Sequence, residues 1–392
     1  MSVNAGKQIA MPLGNAEVVA SGVDEDIDRE PYEAVKGRKV LIQTYDFAVR
    51  QLMDMVVEGD LILDPDYQRK YRWADEKASR FVESIVLNIP VPVLYFAEEP
   101  DGTFSVIDGQ QRLTSLFRYI KVSELANVFP DRGLDELVLN DAMKLRPDLA
   151  GVRFVDLSRE DRSTLAKRAI RCIVVLNESD PTLKFEVFER LNSGSASLSD
   201  QEVRNCLYRG SFNKLIKNLA ENKKFQEMVA LPDHATKAMK DAELVLRFFA
   251  FREIDEESKY QDNYAEYLNN FMEENRELSP GRYAALEKLF SDTVDLIYEQ
   301  LGAGVAFRKP VDLNRPLDSG FAMNLINGAV YESQMIVISR LLEGKGDVTN
   351  LKARVLSVFT EPEYTASIFA GTSKKGRVLR RNKALSAAIG LV

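Results

Sequence analysis

The apolar residues of this chain repeat with two different periods, and the change from one to the other limits the folds open to it. Up to about residue 210, short runs of strand character stand between helical segments. From about 211 onward the spacing is helical throughout, as in "DAELVLRFFAFRE", "NYAEYLNNFMEE" and "ESQMIVISRLLEG". A chain of 392 residues can bury more than one core. The pattern therefore predicts an α+β domain over 39–210 followed by an all-α domain over 211–392. Residues 1–38 are polar, acidic at "DEDIDRE" and without sustained period, which predicts a flexible arm.

Within the first domain, "TYDFAVRQLMDMVVEGD" places Phe47, Leu52, Met55 and Val56 on one helical face, with Gly59 as the stop. "LILD" is a short strand that feeds "PDYQRKYRW", and residues 75–88 return to helical spacing with Phe81, Ile85 and Val86 inward. "VPVLYFAE" and "TFSVIDG" are two strands joined by the turn signal "EPDG". A mostly helical insertion is expected over 121–170, then a buried strand at "RCIVVLN" (171–177). A helix follows in "DPTLKFEVFERLNSG", with Pro181 in its first turn. "SLSDQEVRNCLYRG" opens another, where Ser199 and Glu202 have the spacing of a capping box.

Composition removes several classes of function. The single histidine, His234, excludes serine triads, histidine-rich zinc sites and HNH-type nucleases, all of which need histidine in a defined constellation. Two cysteines, Cys172 and Cys206, make no disulfide scaffold and fit a reducing cytoplasm. No apolar run approaches the roughly 18 residues of a membrane span, and the first residues lack the basic-then-apolar order of a secretory signal. A net charge of −8 argues against a protein coated in nucleic acid, though it leaves room for a local basic patch.

The densest chemistry lies in "FSVIDGQQRLTSLFRYI" (104–120), where a strand hands over to a helix through Asp108 and Gly109. A helix's first turn leaves backbone N–H groups without intrahelical partners and carries a partial positive charge, so it attracts phosphate. Gly109 lets a ligand come close to the backbone. Gln110 and Gln111 can donate amide hydrogens, and Arg112 offers a fork suited to phosphate oxygens. With Leu113, Leu116, Phe117 and Ile120 at buried spacing, Arg112 is expected on the exposed first turn. Asp108 would repel a triphosphate unless it caps the helix, holds Mg²⁺ or orients a water. The bland alternative is an Asp-Gly turn before a solvated helix end. A second stretch, "DPDYQRKYRW" (64–73), interleaves Tyr67, Gln68, Arg69, Tyr71, Arg72 and Trp73, residue types suited to stacking and phosphate contact. A third, "FERLNSGSASLSDQEVRN" (188–205), sets Asn192, Ser193 and Gly194 just ahead of a new helix.

Taken in order, "YQRKYRW", "FVESIVLNIPVPVLYF", "VIDGQQRLTSL", "VFERLNSGSASLSDQEVRN" and "MKDAELVLRFFAF" resemble the GmrSD-type N-terminal domain family over roughly 40–250. The resemblance implies a ParB/sulfiredoxin-like fold, a place in bacterial anti-phage defence, and nucleotide binding and hydrolysis at the Asp-Gly-Gln-Gln-Arg run. Carried over, it implies Asp108, Gln111 and Arg112 as catalytic residues and Asp108 as the contact to Mg²⁺. Nucleotide would be held by Gln68, Arg69, Gly109, Gln110 and Arg112, with Asn192 and Arg204 matching the later motif. Full-length restriction enzymes of the family carry a histidine-rich HNH module. Residues 251–392 here contain no histidine, so DNA cleavage would fall to a separate nuclease chain.

Three functions compete. The first is a Mg²⁺-assisted nucleoside triphosphatase acting as sensor or switch, with a nuclease, a modification-sensing subunit or a second copy of itself as partner. The second is a DNA-binding or scaffold subunit, supported by "KKGRVLRRNK" (374–383), where Lys374, Lys375, Arg377, Arg380 and Arg381 could contact phosphates. The third, a nuclease with its own carboxylate metal site, has no spacing in its favour.

Overall fold

In the computed structural model, residues 22–24, 39–63, 71, 73–129, 134–141, 144–192, 199–321 and 325–391 are described. Two compact units emerge, one spanning 34–208 and one spanning 209–392 together with 1–33. Inside the segment read as a flexible arm, Val23 and Asp24 are fixed instead: they form a short strand, β1 (Val23–Asp24), that pairs in parallel with Ile326 and Asn327. The remainder of that segment up to residue 38 lies outside the described residues.

The 34–208 unit is built on a five-stranded mixed sheet. Its strands are β2 (Ile42–Ala48), β3 (Leu61–Ile62), β4 (Leu94–Glu98), β5 (Phe104–Asp108) and β6 (Ala169–Val175), in the order β2-β6-β4-β5-β3. β6 lies between β2 and β4: it pairs antiparallel with the first and in parallel with the second, so that Cys172 stands between Tyr45 and Leu94. The expected hairpin is present, with β4 antiparallel to β5 and the turn closed by Gly102 N–H to the Glu99 carbonyl. β2 is a correction. Its residues were read as the start of a helix that put Phe47 on one face with Leu52, Met55 and Val56, but nine residues of helix would set Phe47 and Val56 on opposite sides. As an edge strand whose first residues are exposed, β2 shows little of the apolar alternation that marks a buried strand.

Helices cover this sheet for reasons visible in the sequence. Helix α1 (Val49–Glu58) buries Val49, Leu52, Met53 and Val56 and ends at Gly59 in the left-handed region, φ 86°. Helix α2 (Asp75–Val86) buries Phe81, Ile85 and Val86 as its spacing predicts. Helix α3 (Gln110–Ile120) follows β5 directly. Among its described residues the insertion is less helical than expected, with one turn of helix, α4 (Leu125–Val128), a few 3₁₀ turns and α5 (Arg159–Lys167), which Ser158 caps. Helices α6 (Pro181–Asn192) and α7 (Asp200–Leu207) complete the unit and both pack on β5. At the start of α7 the Ser199/Glu202 capping box forms in both directions, satisfying two backbone donors at once.

The second unit is helical except for β1 and its partner β7 (Ile326–Asn327). Its helices run from α8 (Ser211–Ala220), α9 (Lys223–Val229), α10 (Asp233–Lys237) and α11 (Lys240–Arg252) to α12 (Tyr264–Glu274) and the long α13 (Pro280–Leu301). They end with α14 (Gly328–Glu343), α15 (Leu351–Ser357), α16 (Pro362–Ser367) and α17 (Lys375–Ala388). Helix α14 is buried along almost its whole length, and Glu332 sits in its middle. One Glu332 oxygen accepts from Arg247 of α11, with Nε at 2.7 Å, and the other accepts from Arg381 of α17. Arg381 also donates to the Thr372 carbonyl at 2.5 Å. Arg247 Nη1 also lies 3.9 Å from Glu243 Oε1, so two buried guanidinium groups face two carboxylates, and such a set is costly to break. Burial holds the Arg381 pKa below the usual guanidinium value, which the Glu332 charge opposes.

Two outcomes follow from this packing. Glu332→Gln should cost the helical unit about 3–5 kcal/mol in urea unfolding, because Arg381 loses its carboxylate and Arg247 keeps only the more distant Glu243; a loss under about 1 kcal/mol would contradict it. Asp241, in the first turn of α11, has its pKa pushed up to about 6 by burial, from an ordinary 3.8. The unfolded chain therefore ionises first, so stability is lost as pH rises from about 4 to 6 and is level above. Asp241→Asn should flatten that slope and stabilise the protein at pH 7 by about 1–3 kcal/mol, measured as urea midpoints across that range.

Candidate functional site at the β5–α3 junction

β5 ends at Asp108, Gly109 makes the turn, and α3 begins at Gln110. Between Tyr95 and Phe96 the β4–β5 register shifts, a bulge that re-aims the end of β5 just before the turn. Gly109 has φ 109°, and a Cβ there would stand 2.2 Å from Leu94 Cδ2. Only glycine satisfies both the left-handed backbone and the close approach of Leu94. Gly109, the residue before α3, has no side chain with which to cap it, and the first intrahelical bond is Leu113 N–H to the Gly109 carbonyl at 2.9 Å.

Arg112 is a correction. It is not on an exposed turn but 7% exposed, because α3 runs through the unit with Arg112 to Tyr119 buried on every side. Its Nη1 donates to the Pro92 carbonyl and, at 3.1 Å, to the Val93 carbonyl, while Nη2 meets Asp108 Oδ2 at 2.7 Å. The guanidinium thus ties the chain entering β4 to the residue leaving β5. Asp108 remains accessible, its side chain 43% exposed, with one oxygen held by Arg112. Among the described residues no three His, Cys, Asp or Glu side chains gather as a metal site.

Gln111 is held by the segment before α2. Trp73 N–H donates to Gln111 Oε1 at 3.3 Å. The Tyr71 hydroxyl lies 2.8 Å from Ser115 Oγ, and Ser115 Oγ donates to the Gln111 carbonyl at 2.7 Å. Arg118 covers the Tyr71 ring at 4.7 Å and is fixed by Asp75 Oδ1 at 2.9 Å and the Asp135 carbonyl at 2.8 Å. Trp73 stands edge-on to Phe81 at 5.7 Å with Lys77 over its ring. Tyr71 and Trp73 are therefore docked on the motif helix. Ser115 and Arg118 were not singled out in the sequence; the signal was their position four and seven residues after Gln111, on the same helical flank.

The other expected residues are distributed as follows. Gln68 and Arg69 lie outside the described residues. Gln110 opens α3 and is half-buried. Asn192 closes α6, and its side chain lies outside the described residues. Arg204 is fully buried in α7, over the Phe185 ring at 5.5 Å and 3.4 Å from Gln201 Oε1, so it belongs to the packing of α6 against α7. Cys172 is no nucleophile, since burial pushes its thiol up to about 12.

The basic run at 374–383 is corrected too. Arg381 is spent on Glu332, Lys375 Nζ donates to the Glu256 and Ser258 carbonyls at 2.9 and 2.8 Å, and Arg377 donates to the Ala366 carbonyl. A charge run in sequence reads as a surface patch, but here half its cations serve the fold. Lys374, Arg380 and Lys383 stay exposed.

Residues 49–209 match the family described as the GmrSD restriction endonuclease, N-terminal domain. This segment is a GmrSD-type N-terminal domain; it takes in α1 to α7 and the whole Asp108–Arg112 junction. No curated protein and no solved structure matches the chain. Among the described residues no helix is long and apolar enough to cross a membrane.

Because Arg112 joins two strands from inside, Arg112→Ala should lower the stability of the 34–208 unit by about 2–3 kcal/mol, the range for hydrogen bonds to a charged group. Gly109→Ala should cost about 2 kcal/mol or more through positive φ and the Leu94 clash. Thermal unfolding of both variants checks this, and wild-type midpoints would contradict the packing described.

Proposed function

We propose that the GmrSD-type domain binds a nucleoside triphosphate at the first turn of α3, hydrolyses it, and acts as the sensor or switch of a restriction or anti-phage defence system. In this reading the sheet and its helices are a variant of the ParB/sulfiredoxin-like fold. The observation that carries it is the junction itself: a strand end, a position that only glycine can fill, and an eleven-residue helix that starts from that glycine. Such a terminus favours phosphate through oriented N–H groups and the helix dipole.

Each residue then has a distinct part. Gly109 makes the turn that starts α3 against Leu94, and Gln110 and Gln111, both half-buried, would supply amide groups to the phosphate. Arg112 works behind the site, holding the Asp108 carboxylate in one orientation through Oδ2. Mg²⁺ fits a single half-exposed carboxylate, because it takes most of its ligands from water and phosphate oxygens. Bound at Asp108, it would offset the charge of the phosphates. Asp108 is also the group placed to orient a water. DNA cleavage falls to a separate chain, and the reading as a DNA-binding subunit loses its main support with Lys375, Arg377 and Arg381 engaged internally.

Titration of the full chain with ATP, GTP, CTP and UTP, with and without Mg²⁺, tests this. At least one should bind and be hydrolysed when Mg²⁺ is present. Asp108→Asn should lower the hydrolysis rate about 100-fold or more, with a much smaller change in affinity. Absence of binding by all four would reject the reading.

A further inference from the structure

We propose that Tyr71, Ser115 and Arg118 form a positioning set that fixes Gln111 for phosphate recognition, an inference that rests on the nucleotide reading above. A serine hydroxyl has one hydrogen, and Ser115 uses it on the Gln111 carbonyl at 2.7 Å. The 2.8 Å contact between Tyr71 and Ser115 must then be donated by the tyrosine. The result is a one-way relay: Tyr71 O–H to Ser115 Oγ, and Ser115 O–H to the Gln111 carbonyl.

The side chain of Gln111 is held from the same segment, because Trp73 N–H donates to its Oε1 at 3.3 Å. A backbone N–H can face only an acceptor, so this bond fixes which end of the amide is oxygen and which is NH₂. Both carbonyl groups of Gln111 are thus set from Tyr71 and Trp73. Arg118 keeps Tyr71 in place through its ring, and Arg118 is itself anchored by Asp75 and the Asp135 carbonyl. A side chain already confined to one orientation gives up less freedom when a ligand binds. None of the three residues needs to touch the ligand; each acts through Gln111.

The test compares Tyr71→Phe, Ser115→Ala and the double variant in the full chain, reading dissociation constants for ATP, GTP, CTP and UTP beside the unfolding midpoint. Tyr71→Phe removes one oxygen from a half-buried residue and keeps the ring under Arg118, so it carries the test should Ser115→Ala fold poorly. Each single variant should weaken binding about three- to tenfold with the midpoint nearly unchanged. The double variant should bind no worse than either single, since both cut the same relay. Arg118→Lys, which keeps the charge facing Asp75 but not the flat face over Tyr71, should fall in the same range. Emission of Trp73, the only tryptophan in the chain, should become more open to acrylamide quenching in Tyr71→Phe. Wild-type affinity in the variants, or a fall in midpoint with affinity intact, would overturn the positioning role while leaving the nucleotide reading standing. Absence of binding by the wild-type chain would reject that reading first and this inference with it.

Discussion

The 34–208 unit depends on where the Arg112 charge goes. Its guanidinium lies beneath the β5–α3 turn and reaches the carbonyls of Pro92 and Val93 on one side and the Asp108 carboxylate on the other. These groups sit where β4 begins and β5 ends, the two strands whose register shifts at Tyr95. Without the arginine, two backbone carbonyls and a carboxylate would converge with nothing to offset them. With it, Gly109 can take its positive φ against Leu94, and α3 starts directly from the end of β5.

The same economy of charge recurs in the helical unit, at lower exposure. Glu332 is matched by Arg247 and Arg381, drawn from helices more than eighty residues upstream and almost fifty downstream. Buried ion pairs add little net stability over apolar packing of the same shape, yet they are costly to break. Such a cluster fixes which helices meet, and here it joins α11, α14 and α17 in one arrangement. In both units an arginine that looks available in sequence is spent on the inside of the fold.

That recurrence marks how far the sequence could be read. Signals that act within a few residues came through: Gly59 as a helix stop, the Ser199/Glu202 box, the turn at 99–103 and the helical spacing of 75–88. The Asp108–Arg112 motif and its family likeness were legible because strand, glycine and helix are adjacent in the chain. What failed depended on distant partners. Arg112 seemed exposed because Leu113, Leu116 and Phe117 already supplied an inner face, and nothing local shows that α3 is covered on all sides. Arg381 seemed a nucleic-acid contact because its neighbours are basic, while Glu332 lies far away in sequence. β2 was hidden by exposure, since an edge strand need not alternate.

We propose a division of labour at one junction, in which the Arg112 guanidinium serves the fold and the backbone amides of the α3 first turn would serve the ligand. Nuclear magnetic resonance of the ¹⁵N-labelled protein, titrated with the triphosphate that binds and Mg²⁺, reads both in one sample. The account predicts that the amide resonances of Gly109 to Arg112 shift on saturation while the Arg112 guanidinium resonance stays in place. A guanidinium resonance that moves with ligand while those amides stay unchanged would contradict it.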